Sequence, residues 1–215
     1  MEEKLPFILP GKTSSETLEQ HWKRYFFARK FVKNKTVLDV ACGSGYGSFI
    51  LSKYAKTIVG VDMSQDALKY AKKNYSAKNL RFYQMDAKKL GYPDNFFDIV
   101  ISFETIEHVR KYDLFLKEIK RVLKVGGTVI MSTPNFGFPL PKNKFHISNF
   151  TKDEFISLFS KNFSNVEFFG QSKKFISFPG RGILERIIGI RRNENIYKLD
   201  KNQNPRNIIA SGIKK

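Results

Sequence analysis

Thr36-Val-Leu-Asp-Val-Ala-Cys-Gly-Ser-Gly-Tyr-Gly-Ser48 is an apolar run that meets an acid and then turns through three alternate glycines into a new amphipathic segment. Its order predicts strand, tight turn, helix. Val37, Leu38 and Val40 suit a strand buried on both faces, and Asp39 falls near its carboxyl end. Gly43, Gly45 and Gly47 are expected to let a ligand approach the backbone where a Cβ would intrude, with the free N–H groups of the following helix offered to it. A dinucleotide fingerprint needs G-x-G-x-x-G/A, and the third slot of that register is Ser48; the chain satisfies D-x-x-x-G-x-G-x-G instead.

The chain around this turn has 215 residues, 41% of them hydrophobic, and a net charge of +18. That length supports one good core and nothing in the composition divides it, so residues 1–215 are expected to form a single domain. No window reaches the ~18 uninterrupted apolar residues of a membrane span. Met1-Glu-Glu-Lys4 lacks the basic start and apolar stretch of a signal peptide, so the expected location is cytoplasmic. The solitary cysteine, Cys42, has no partner for a disulfide and reads as a small packing residue in the turn. Excess positive charge invites a nucleic-acid partner, because Lys and Arg neutralise phosphates. Here lysine is spread along the whole chain instead of being gathered with Arg and aromatics, which reads as compositional bias and puts nucleic acid second among partner classes.

Working outward, Leu18, Trp22 and Phe26 set a helical stripe from Thr17 to Val32, behind a strap at residues 1–16. That helix would cross the mouth of the crevice and bring His21, Arg24 and Tyr25 to it. After a helix from Gly47 to Tyr54, Thr57-Ile-Val-Gly-Val-Asp62 is a second buried strand ending in an acid. A carboxylate there faces the ribose of a nucleoside held at the first strand, and Met63 stands where it would cover the base. A helix opened by Ser64 or Asp66 runs to Tyr75, and Leu80 to Lys88 is a strand that becomes a loop near Asp86 and Ala87. Phe96 to Ser102 reads as a central fourth strand, and after Phe103 the side chains of Glu104, Glu107 and His108 fall at i, i+3 and i+4, on one face of any helical turn. Leu114 to Leu123 is an amphipathic helix with Leu114, Phe115, Ile119 and Val122 inward, ended by Lys124-Val-Gly-Gly127, and Thr128 to Pro134 is the fifth strand. The loop from Asn135 to Phe150, which carries His146, is longer than a connection requires. Thr151-Lys-Asp-Glu154 is a capping box for a helix through Phe159, Val166 to Phe169 is a strand, residues 170–195 read as a basic lid or edge helix, and Asn207 to Ile213 closes the fold.

Taken in order, Val37-Leu-Asp-Val-Ala-Cys-Gly-Ser-Gly45, Val-Asp62, Met-Asp86-Ala, Phe-Asp98-Ile-Val, Glu-His108-Val and Leu-Lys-Val-Gly-Gly-Thr128 resemble the class I S-adenosylmethionine-dependent methyltransferases from first strand to fifth. The resemblance implies an α/β fold: a doubly wound, mostly parallel seven-stranded sheet with helices on both faces and the closing strand antiparallel at its edge. Residues 1–33 would be the strap and helix, 34–132 the cofactor-binding core and 133–215 the acceptor side. The implied cofactor is S-adenosyl-L-methionine. Arg24 and Tyr25 would meet its amino-acid end, Asp39, Ala41, Gly43, Gly45 and Tyr46 would line the turn, and Asp62 and Met63 would take the ribose and adenine. Asp86 would accept the adenine amino group beside Ala87, with Ser102 and Phe103 at the end of the fourth strand.

His21 to Tyr25, Thr133-Pro-Asn135, His146, Phe150 to Phe155 and Gly170-Gln171 resemble O-methyltransferases of bacterial polysaccharide and glycolipid biosynthesis and, more distantly, of the ubiquinone pathway. A small-molecule or sugar hydroxyl is then the expected acceptor. A sulfonium methyl is already activated, so the protein must align it with the acceptor oxygen, exclude water and take one proton. His108 or His146 is the expected base, with Glu104 beside it. The set Glu104, Glu107, His108 and His146 also resembles the metal-binding pattern of small-RNA 2′-O-methyltransferases. It would suit Mn²⁺, Co²⁺ or Zn²⁺ better than Mg²⁺. A non-catalytic scaffold of the same fold would keep the core without needing both Asp62 and Asp86.

Overall fold

The structure, a computed structural model, describes residues 13–139, 145–172 and 196–215. The expected strap at 1–12, part of the acceptor-side loop at 140–144 and the expected lid at 173–195 lie outside them. In chain order the elements are α1 (Ser15–Val32), β1 (Thr36–Val40), α2 (Tyr46–Ser52), β2 (Thr57–Asp62), α3 (Gln65–Asn74), β3 (Leu80–Gln84) and β4 (Phe97–Phe103). A 3₁₀ turn (Ile106–His108) leads to α4 (Tyr112–Val122), β5 (Leu123–Pro134), α5 (Lys152–Asn162), β6 (Ser164–Gln171), β7 (Ile196–Lys198) and β8 (Asn207–Ile213).

β1 is central because Val37, Leu38 and Val40 are apolar on both faces and all fully buried. It pairs in parallel with β2 on one side and β4 on the other. Alternation then splits the core into two layers. Val37, Ile58, Ile99 and Ile130 pack toward Ala28, Leu51 and Leu68, while Leu38, Val100 and Val129 pack toward Phe115, Ile119, Phe155 and Phe159. Helices therefore cover both faces.

The strand order is β3-β2-β1-β4-β5-β8-β6-β7. Among the described residues eight strands replace the expected seven, because the short β7 adds an antiparallel edge to β6. β8 is antiparallel as expected, but it lies inside the sheet between β5 and β6. Its composition explains the correction: Asn207 to Gly212 are all buried, so the strand has no solvent-facing side to leave at an edge.

Two helix-side expectations also shift. Leu114 is 48% exposed, because α4 buries Phe115, Leu116, Ile119 and Val122, a stripe turned by one residue. β5 begins at Leu123 rather than Thr128, with Lys124-Val-Gly-Gly127 accommodated in the strand beside a register shift in β4. Gly126 has φ +75, and a Cβ on Gly127 would stand 2.8 Å from the Lys124 carbonyl oxygen. The capping box of α5 is present: the Thr151 hydroxyl accepts from the Glu154 N–H and the Glu154 carboxylate accepts from the Thr151 N–H.

Candidate active site

The chain leaves β1 through Ala41, Gly43 and Gly45, all in the left-handed region at φ 59, 55 and 80. This sharp exit puts the Gly43 N–H on the Asp62 carboxylate at 2.8 Å, and the other Asp62 oxygen accepts from the Ser64 N–H at 2.9 Å. The acid at the end of β2 thus holds the glycine turn and the start of α3 together. Each oxygen keeps a lone pair for a ligand hydroxyl.

The expected role of the other two glycines is corrected by what fills their Cβ space. At Gly45 a Cβ would be 2.6 Å from Ala71 Cβ and 2.7 Å from Phe82 Cζ. At Gly47 it would be 2.0 Å from Tyr25 Cζ. Both positions make room for protein side chains. The Tyr25 ring, passing over Gly47, reaches Asp39, where its hydroxyl donates to the two carboxylate oxygens at 3.2 and 3.3 Å. Ser48 donates to the same carboxylate at 2.6 Å. Asp39 is fully buried, and burial pushes its carboxyl up to about 7 against the opposing effect of the Ser48 and Tyr25 hydrogen bonds. Burial, and then the Asp39 charge, drives the Tyr25 hydroxyl well above its ordinary value. Tyr46 is buried edge-on to Tyr25, and Phe103 closes on Tyr25 from β4 at 5.1 Å between centroids. The Ser102 hydroxyl donates to the Val40 carbonyl at 3.2 Å, tying β4 to the end of β1.

Arg24 is fully buried on α1 and donates from Nη1 to Gln171 on β6 at 2.7 Å. Its Nε has no partner. Gln171 in turn donates to the Gln20 carbonyl at 3.0 Å, so the amide that accepts from Arg24 is itself tied back to α1. His21 stands one turn away, and burial followed by the nearby Arg24 charge holds its imidazole well below the usual range.

At the base side, Met63 is 63% exposed on the rim. Asp86 makes a turn: its carboxylate accepts from the Lys88 N–H at 2.8 Å and pairs with Lys88 Nζ at 3.1 Å, and that backbone bond is the main cause of its lowered carboxyl. Ala87 sits partly buried within the same turn.

Beyond β4, Glu104 adopts φ +50, with its N–H on the Ser132 carbonyl. This turns its side chain toward Ser132 Oγ at 3.3 Å and Arg24 Nη1 at 3.8 Å. Glu107 is buried; Oε2 accepts from the Thr133 hydroxyl at 3.2 Å and Oε1 has no partner. Burial first, then the Glu104 charge, raises its carboxyl well above the usual range. His108 Nδ1 lies 2.8 Å from the Phe145 carbonyl, which assigns the proton to Nδ1 and leaves Nε2 as an acceptor 4.0 Å from Glu107 Oε1. The His146 ring is 5.0 Å from that of His108, and its pKa is lowered by burial and then by His108. Ligand atoms of Glu107, His108 and His146 lie within 4.8 Å of one another. Glu104, expected with them, stays outside this group.

Ser48 carries site structure that sequence reasoning missed, being visible only as the residue that breaks the dinucleotide register, and Gln171 entered only with Gly170 as part of a family resemblance, without its bond to Arg24.

The strand order reverses between β1 and β4, so the crevice at their carboxyl ends is the switch point of the sheet. Asp62, at the end of β2, and the buried guanidinium of Arg24 with its unpartnered N–H are groups whose chemistry fits S-adenosyl-L-methionine. Residues 31–205 match the family described as "Methyltransferase domain". The chain is similar to the fatty-acid O-methyltransferase of Mycolicibacterium smegmatis, 30% identical over 145 residues, which cover 66% of this chain and 53% of that one. It is also similar to the demethylmenaquinone methyltransferase of Staphylococcus aureus, 33% identical over 180 residues covering 80% and 74%. The chain spans about half the length of the mycobacterial relatives it matches. The solved PH0226 protein of Pyrococcus horikoshii shares the fold, with a TM-score of 0.66 over 94% of this chain and 93% of that one at 22% identity. Among the described residues no helix is long and apolar enough to cross a membrane.

Proposed function

The chain belongs to the S-adenosylmethionine-dependent methyltransferase family, and from that premise we propose that it methylates the hydroxyl of a small-molecule or sugar-like acceptor. S-adenosyl-L-methionine supplies a methyl group already activated on a sulfonium. On this reading Asp62 takes the ribose hydroxyls, Asp86 and Ala87 the adenine edge, and Arg24 the carboxylate of the amino-acid end. Tyr25 and Asp39 form the buried floor that sets the height of the glycine turn.

The observation that carries the reading is the His108 Nδ1 contact with the Phe145 carbonyl at 2.8 Å. It fixes the tautomer in which Nε2 can accept a hydroxyl proton, and the carbonyl steadies the imidazolium that results. Glu107 Oε1, 4.0 Å from Nε2, would attract the imidazolium once the proton is taken up. The likeness of His21–Tyr25, Thr133–Asn135, His146, Phe150–Phe155 and Gly170-Gln171 to glycolipid, polysaccharide and, more distantly, ubiquinone-pathway O-methyltransferases supports an oxygen acceptor. So does the similarity to a fatty-acid O-methyltransferase.

One observation favours a second reading, in which the same cluster holds a divalent cation. Glu107 Oε1 is buried without a partner beside two imidazoles, one of them already oriented by a backbone carbonyl. A carboxylate and two imidazoles suit Mn²⁺, Co²⁺ or Zn²⁺. An ion there would polarise the acceptor hydroxyl, and an RNA 2′-hydroxyl would become the competing acceptor. A screen of nucleotide sugars, phenols, hydroxylated lipids and short RNA with methyl-labelled cofactor, run with chelator and with added Mn²⁺, tests both readings. Methyl transfer to a small hydroxyl in chelator supports the first; transfer only to RNA and only with Mn²⁺ replaces it with the second.

A further inference from the structure

We propose that the acceptor is an amphiphile, its hydroxyl at the Glu107–His108–His146 cluster and its apolar tail resting on Phe136 and Ile147. The proposal depends on reading that cluster as the acceptor site.

Phe136 is 58% exposed and Ile147 51% exposed. Neither belongs to a frayed segment. The Ile147 N–H donates to the Glu107 carbonyl at 2.7 Å, and the Ser148 N–H to the same oxygen at 3.0 Å. Phe136 comes two residues after the end of β5, three after the Thr133 whose hydroxyl holds Glu107, and its N–H donates to the Phe150 carbonyl at 2.8 Å. Asn135 Oδ1 accepts from both Gly137 and Lys152 N–H groups, pinning the other side of the loop. Two large apolar side chains are therefore held in water by the same backbone that builds the polar cluster.

Their chemical surroundings narrow the partner. The chain is 27% charged with a net charge of +18, and the charges within residues 135–150 are Lys142 and Lys144, both outside the described residues. Among the described residues of this loop the exposed large hydrophobic side chains are Phe136, Phe145 and Ile147. Apolar groups held exposed beside a polar cluster stand where a bound ligand would remove them from water. An acyl or prenyl-like chain attached to the hydroxyl-bearing head fits both halves of the arrangement.

The test is calorimetric titration of para-methyl, para-butyl and para-octyl phenol into the full chain saturated with S-adenosylhomocysteine. Affinity should climb with chain length, toward the limit of about fourfold per buried methylene. In the double variant Phe136→Ser, Ile147→Ser the octyl phenol should weaken by roughly tenfold or more, by the same burial argument, while the methyl phenol binds as before. Affinity independent of chain length, no binding by any of the series, or an unchanged slope in the variant would overturn the proposal. Sedimentation with phosphatidylglycerol vesicles separates the remaining case: vesicle binding lost in the variant, together with a flat phenol series, makes the rim a bilayer contact and also overturns it. Failure of the wild-type chain to bind S-adenosylhomocysteine at the outset would reject the methyltransferase reading itself, a different result from a flat series.

Discussion

The Tyr25 ring occupies the space where a side chain at residue 47 would begin, so that a Cβ on Gly47 would stand 2.0 Å from Tyr25 Cζ. Gly47→Ala should therefore destabilise the fold by about 1–3 kcal/mol through overpacking, against the small helix-propensity gain that alanine normally brings. In a Tyr25→Ala background the same change should cost much less. Denaturant midpoints for the four proteins of the cycle check this, and additive costs would show that the two residues do not meet.

Burial raises the Asp39 carboxyl from its ordinary value to about 7. The native state then favours the protonated form, so the stability this group contributes is complete below about pH 4 and is lost as the pH rises through 7. Asp39→Asn, which has no charge to bury, should gain on the wild type across that window by at most about 4 kcal/mol. Unfolding free energies measured without cofactor should converge toward acid and diverge toward pH 8. Parallel curves would give Asp39 an ordinary pKa.

Asp62 holds the Gly43 and Ser64 N–H groups and is the proposed ribose acceptor. Asp62→Ala should weaken S-adenosylhomocysteine by about 2–4 kcal/mol, with Asp62→Asn losing less because one carbonyl oxygen remains. Calorimetry reads the loss directly, and the wild type should bind neither NAD nor NADP. Dinucleotide binding of equal strength would reject the cofactor assignment.

Chelation separates the two chemistries of the histidine cluster. If His108 acts as a base, activity should persist in excess chelator and vanish in His108→Ala. If the cluster holds an ion, activity should fall in chelator and return with Mn²⁺ or Co²⁺, and Glu107→Gln should bind the metal more weakly without a matching loss of S-adenosylhomocysteine affinity.

Much of the cofactor side was legible because its determinants are local. Buried apolar runs ending in Asp39 and Asp62 gave the two central strands and their acids, and Thr151 with Glu154 gave a helix start, from residues within a few positions of one another. The misreadings concern partners brought together by the tertiary fold. Gln171 lies 147 residues from Arg24, and no period or propensity announces that bond. The glycine register was visible, but whether each missing Cβ makes room for a ligand or for a protein ring depends on where α1 and β3 come to rest. Glu104 fell on the expected face by spacing, yet a left-handed backbone at that residue turns it toward Arg24.

The position of β8 sets an order of assembly. Among the described strands, β6 and β7 connect to the rest of the sheet through β8 alone, whereas β1 to β5 pair among themselves in parallel. The β5 pairing joins Thr128–Pro134 to Asn207–Ile213, a closure across a long intervening segment that carries the entropic cost of non-local contacts. Pulse-labelled hydrogen exchange should find amides of β1, β2 and β4 protected first, and those of β6 no earlier than those of β8. Gln171 lies on β6, so the buried guanidinium of Arg24 gains this acceptor only once β6 has joined the sheet through β8, and a late pairing step also completes the site.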